Sequence, residues 1–227
     1  MSILEERVVL PANPQQPHCA TVLLLDTSGS MAGAKIQQLN EGLKIFKTEI
    51  SSDELASKRV DLAIVTFGDK VTVAHDFSSV EEFTPPELAA GGSTPMGEAI
   101  LKAADLIAER KRQYKELGID YFRPWIFLIT DGEPTDMNPG DDLWSTVVAR
   151  VHDGEAKKEH LFFAVAVEPA NLDKLSQIAP ANRPPIQLRG TKFKELFVWL
   201  SKSQAAVSAS SVGDAVKLPA PTGWAEV

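Results

Sequence analysis

The sequence predicts an α/β fold: a doubly wound, mainly parallel sheet with one antiparallel edge strand and helices on both faces. Three observations carry this expectation. Short, nearly continuous apolar runs recur along the chain, as in strands covered on both faces. Between them, apolar residues recur at spacings of three and four, the mark of amphipathic helices. One run instead alternates apolar and polar residues close behind its neighbour, as an edge strand of a hairpin does.

The first strand is expected at 20–26, ATVLLLD. Ile36, Leu39, Leu43, Phe46 and Ile50 then form one helical stripe. A second strand at 60–67, VDLAIVTF, leads across Gly68-Asp69-Lys70 into the alternating segment 71–77, VTVAHDF. A long helix follows from Pro95 to about residue 117, with Ile100, Leu101, Ala104, Ile107 and Ala108 on one face. Pro95 suits a first helical turn, where its missing N–H costs nothing. Beyond the strand at 125–130, WIFLIT, a helix is marked by Leu143, Val147, Val148 and Val151. Asp141 and Asp142 lie at its positive end. A strand at 161–167, LFFAVAV, a short helix over 172–178 and a last helix over about 191–207 complete the alternation. Phe193, Leu196, Phe197 and Leu200 share one face of that last helix. Strands alternating with helices at this spacing make a mainly parallel sheet, in which ligands bind at the carboxyl ends of the strands.

The lead-in, 1–17, contains Pro11, Pro14 and Pro17, with Val8-Val9-Leu10 as a candidate further edge strand. The domain is expected over 18–208, followed by an Ala-, Ser- and Pro-containing tail at 209–227. The 23 basic residues against 31 acidic ones give a net charge of −8 over 227 residues. That balance argues against nucleic-acid binding, which needs clustered Lys and Arg. A single cysteine, Cys19, rules out an internal disulfide and a cysteine-based zinc site. Leading into a central strand, Cys19 reads as buried. The longest clean apolar run, 161–167, is far shorter than the ~20 residues of a transmembrane helix. The opening MSILEERVVLPANPQQPH does not read as a secretory signal, and a cytoplasmic protein without membrane contact is expected.

The chemically informative segment is Asp26-Thr27-Ser28-Gly29-Ser30-Met31, between a buried strand and an amphipathic helix. Side chains two apart in an extended loop point the same way, so Asp26, Ser28 and Ser30 can converge. Two further loops at the same sheet edge should meet them. Gly91-Gly92-Ser93-Thr94-Pro95 offers the Thr94 hydroxyl, with Ser93 reading as a supporting residue. Thr130-Asp131-Gly132-Glu133 offers the Asp131 carboxylate. Carboxylates and hydroxyls, with water completing the shell, suit Mg²⁺ or Mn²⁺ and not zinc. The acids after Asp131 (Glu133, Asp136, Asp141, Asp142) read as a solvated loop with helix-start acids rather than a rim that selects a basic partner. The four histidines show no metal-ligand spacing, and Trp144 and Trp199 leave packing and interface roles open.

The D-x-S-x-S after a strand, the downstream G-G-S-T-P and the strand ending in T-D-G together resemble the von Willebrand factor A family and its metal-ion-dependent adhesion site. The resemblance covers about 18–207. It implies direct metal ligation by Ser28, Ser30 and Thr94, and ligation directly or through water by Asp26 and Asp131. It implies that an Asp or Glu of a partner protein fills the open position. The segments LLLDTSGSM, GGSTPMGEAI, RPWIFLITDGEPTD and FKELFVWLSKSQAAVS are further similar to TerY-type proteins of bacterial tellurite-resistance and stress-response clusters. That resemblance implies an intracellular scaffold or regulator with a kinase or protein phosphatase as partner, and no enzymatic activity of its own.

Two alternatives use the same elements. An Mg²⁺-dependent phosphoryl-transfer enzyme of the aspartate-nucleophile type resembles D-x-D-x-T, but Ser28 occupies the place of that pattern's second Asp. No P-loop motif is present and no His or Cys forms a nucleophile–base pattern. An adhesin or chelatase-type subunit would use the same domain, without the signal sequence or ATPase partner domain those roles suggest.

Overall fold

The computed structural model describes residues 11–225, so the candidate strand at Val8-Val9-Leu10 lies outside the described residues. The elements run β1 (Cys19–Asp26), α1 (Ala34–Ser51), α2 (Ala56–Arg59), β2 (Val60–Phe67), β3 (Val71–Ser79), α3 (Met96–Glu116), β4 (Trp125–Thr130), α4 (Asp142–Ala156), β5 (Leu161–Val167), α5 (Leu172–Ile178), β6 (Ile186–Leu188) and α6 (Phe193–Ser208). The strands form one sheet in the order β3-β2-β1-β4-β5-β6. β1 pairs in parallel with both β2 and β4, with Leu23 opposite Ile64 and Phe127. Among the described strands only β3 is antiparallel, against β2.

Every residue of β1 and β4 is buried, which is why these segments read as unbroken apolar runs. Alternate residues divide between two cores. Leu23 and Leu25 meet α1, α2 and α6 on one face, and Val22 and Leu24 meet α3, α4 and α5 on the other. Each such Val or Leu contributes roughly 1.5–3 kcal/mol by leaving water. In β3 the burial alternates, as in a strand covered on one side only.

The short elements and Pro95 depart from expectation. α2 is a single turn and β6 has only three residues, too short to leave a periodic signal. Pro95 stands before α3 rather than in its first turn. With φ −74° and ψ 63° it centres a tight turn closed by Met96 N–H to Thr94 O at 2.7 Å, so the helix starts one residue later. The tail packs on the domain. Trp224 is 1% exposed, and Ala225 bridges Leu188 in the antiparallel sense, covering the β6 edge. Trp199 touches both sheet and tail, its ring 6.3 Å from Phe127 and 5.3 Å from Trp224, with Nε1–H donating to Pro219 O at 2.8 Å.

The strand order reverses between β1 and β4. The loops leaving these two strands therefore diverge and open a crevice at their carboxyl ends. Among the described residues no helix is long and apolar enough to cross a membrane.

Candidate metal centre

Asp26 closes β1 at that crevice and is fully buried. Its Oδ1 accepts the Ser28 N–H at 2.8 Å, and its Oδ2 accepts the Thr130 hydroxyl at 2.6 Å. One carboxylate thus folds its own loop and ties β1 to the end of β4. The Ser28 and Ser30 hydroxyls lie 3.0 Å apart, and Ser30 Oγ donates to Asp131 Oδ1 at 2.6 Å. Asp26, Ser28, Ser30 and Asp131 are therefore linked from one loop to the next.

The Thr94 loop is held against both. Gly91 N–H donates to Thr27 O at 2.8 Å, and Gly29 N–H donates to Gly92 O at 3.1 Å. Gly92 has φ +78°, and a Cβ there would lie 2.1 Å from Asp69 Oδ1, so only glycine allows this approach. Thr94 and Thr135 exchange two hydrogen bonds: Thr94 N–H to Thr135 Oγ1 at 3.0 Å and Thr135 N–H to Thr94 O at 2.9 Å. Gly132 reveals what these groups face. A Cβ on it would lie 3.2 Å from Thr94 Oγ1 and 3.6 Å from Asp26 Oδ2. The Thr94 hydroxyl and the Asp26 carboxylate border one space that a side chain at 132 would fill. The hydrogen-bonded chain Asp26–Ser28–Ser30–Asp131 lies beside this space, and its carboxylates and hydroxyls, with the Thr94 hydroxyl, are hard oxygen groups of the type that suits Mg²⁺ or Mn²⁺. Ser93 is turned away, with Oγ donating to Gly68 O at 3.4 Å.

Burial raises the pKa of Asp26. Hydrogen bonds from Ser28 and Thr130 oppose that rise, and the nearby Asp131 charge adds to it. A cation near Asp26 would relieve this cost. Sequence reasoning missed one member of the cluster. Lys35 donates to Asp131 Oδ2, and to Ser30 O at 3.3 Å. Its signal was available: Lys35 stands in the first turn of α1, at the positive helix end that disfavours a cation unless an acid compensates it.

The remaining polar candidates serve local structure. Glu133 takes Lys174 at 2.5 Å and Asn171 at 2.8 Å. Asp136 accepts Gly97 and Glu98 N–H groups at the start of α3, and Asp141 accepts Asn138 N–H. Trp144 is buried in the helical core. Cys19 is buried, which pushes its thiol up to about 12. Among the described residues no three or more His, Cys, Asp or Glu side chains gather as a metal site.

A family model described as the von Willebrand factor type A domain matches residues 21–197. Inter-alpha-trypsin inhibitor heavy chain H4 of Sus scrofa is 30% identical over 161 residues, which cover 68% of this chain and 17% of that protein. This chain therefore spans a small part of that relative's length. The pilus adhesin SpaC of Lactobacillus rhamnosus GG has a similar fold, with TM-score 0.65 and 14% identity over 87% of this chain and 32% of its own. So has the ArnB paralog VWA2 of Sulfolobus acidocaldarius, with TM-score 0.54 and 16% identity over 83% of this chain and 46% of its own. The PilB minor pilin of Streptococcus sanguinis gives 0.57 and 12%, over 84% and 62%.

Proposed function

The chain belongs to the von Willebrand factor type A domain family, and on that premise we propose that it is a non-enzymatic, divalent-metal-dependent protein-binding module. The observation that supports this reading is the hydrogen-bonded chain through Asp26, Ser28, Ser30 and Asp131, with the Thr94 hydroxyl and the Asp26 carboxylate bordering one space, at the strand-order reversal. Ser28, Ser30 and Thr94 would hold Mg²⁺ or Mn²⁺, with Asp26 and Asp131 directly or through water. When bound, the cation would supply a localised positive charge and a coordination position for an Asp or Glu of a partner protein. The chain's own residues do the rest. Thr130 and the Ser28 N–H hold Asp26 in one orientation, Ser30 holds Asp131, and the glycine-tied Thr94 loop fixes the third side. Both Asp26 oxygens already accept hydrogen bonds, which suits a fixed ligand better than the nucleophile of a phosphoryl-transfer enzyme.

The finer reading rests on the sequence segments similar to TerY-type proteins. It is a cytoplasmic scaffold or regulator in a bacterial tellurite-resistance and stress-response complex, with a kinase or protein phosphatase as partner. Residues 18–208 would form the module, flanked by 1–17 and 209–227.

The test is capture from a host lysate in Mg²⁺ and in EDTA, beside calorimetric titration of Mg²⁺. Asp26→Ala, with folding checked by circular dichroism, should lose both the heat of Mg²⁺ binding and every partner released by EDTA. A folded Asp26→Ala protein that binds Mg²⁺ and partner like the parent would overturn the reading.

A further inference from the structure

Resting on the metal reading above, we propose that Lys35 divides the site's affinity between the cation and a partner's carboxylate, weakening the first to strengthen the second. The Asp131 side chain is fully buried, and both its oxygens are taken, Oδ1 by the Ser30 hydroxyl and Oδ2 by the Lys35 ammonium. Lys35 is 22% exposed at its side chain and also donates to Ser30 O at 3.3 Å, so it braces the loop that carries Ser30. Asp26 has no cationic partner among the described residues; its donors are the Ser28 N–H and the Thr130 hydroxyl.

Two carboxylates and one ammonium sum to −2 + 1 = −1. A divalent cation turns the site to +1, and one partner carboxylate then brings it to zero. Without Lys35 the cation alone would bring the site to zero. It would bind more tightly and leave no surplus charge to attract the partner. The Asp26 and Asp131 carboxylates are buried, so charges beside them are screened less than at an open surface. The start of α1, whose N-terminal dipole is also positive, adds to the same bias. Lys35 donates to Asp131 and to Ser30 O, and an ammonium has no lone pair for a metal, so its role is to tune charge and position rather than to ligate.

The experiment titrates Mg²⁺ calorimetrically into the full chain, its Lys35→Met variant and its Lys35→Arg variant. It then titrates acetate, as the carboxylate probe, into the Mn²⁺-loaded proteins at constant ionic strength, read by water-proton relaxation. Lys35→Met should bind Mg²⁺ about tenfold or more tightly and acetate about threefold or more weakly. Lys35→Arg should keep both near the parent. A merely structural lysine would weaken both ligands together, so the opposite signs carry the result. Lys35→Gln, also uncharged, repeats the test if the Met variant misfolds. Mg²⁺ binding by Lys35→Met but not by the parent would also support the proposal. Mg²⁺ binding that is equal in parent and Lys35→Met would overturn the role of Lys35 alone. Absence of Mg²⁺ binding in all the proteins would overturn the metal reading and this inference with it.

Discussion

The two ends of the sheet bury the same kind of acid in opposite ways. At the amino-terminal end, Asp61 accepts Arg110 Nη2 at 2.7 Å, Tyr114 OH at 2.5 Å and His18 Nδ1 at 3.2 Å. Burial opposes its ionisation, but the His18 hydrogen bond and the Arg110 charge outweigh that and hold its carboxyl below the usual range. At the carboxyl end, Asp26 is buried against a hydroxyl and a backbone N–H, and its pKa rises instead. The difference separates a carboxylate that the fold has already neutralised from one held in place with its charge uncompensated. A fixed arginine makes a structural joint, whereas hydroxyls leave room for an exchangeable cation.

The sharpest way to break this contrast is Arg110→Met. It strips the buried Asp61 of its charge partner and should cost about 3 kcal/mol or more in urea unfolding, with or without Mg²⁺. A loss below about 1 kcal/mol would mean that His18 and Tyr114 suffice, and that the two ends differ less than their partners suggest.

A buried histidine at the amino-terminal end gives a second measure, through pH. Burial, partly countered by Glu155, pushes His160 down to about 4 from an ordinary 6.5. Below 6.5 the unfolded chain takes up a proton that the folded chain refuses. Stability is therefore full above 6.5 and should fall by about 3 kcal/mol as pH drops from there to about 4. Urea midpoints against pH should show this fall in the parent, and a flatter curve in His160→Gln. Parallel curves would remove His160 from the account.

The smallest effect should come from Asp26→Asn. In EDTA, removing the buried charge relieves its desolvation and preserves most of its hydrogen bonding, so stability should change by less than about 1 kcal/mol. In Mg²⁺, the parent should rise in melting temperature and Asp26→Asn should not. A large loss in EDTA would mean that Asp26 is as structural as Asp61, and would erase the contrast.

Much of this was legible along the chain, for reasons that differ by element. β1, β4 and β5 announce themselves because burial on both faces demands unbroken apolar runs. The loop acids and hydroxyls were legible because Asp26, Ser28 and Ser30 stand two apart and at a strand end. α2 and β6 were not, since one turn or three residues hold no period. Nor was the Asp61 network, whose partners lie 43 to 53 residues away with no local pattern to join them. The role of Trp199 stayed open because part of the surface it packs on, Trp224, belongs to the tail.

The layers of the fold, its parallel sheet and the oxygen-rich loops at one edge follow from the order of residues along the chain. Local periodicity and strand-end chemistry suffice for these. Which acid meets which counter-charge is settled by the folded arrangement. Charge compensation depends on distances of about 3 Å, and folding sets those between residues that the chain keeps far apart. Hence Asp61 is closed by Arg110, Asp131 is held by Lys35, and Asp26 stands among hydroxyls with its charge uncompensated.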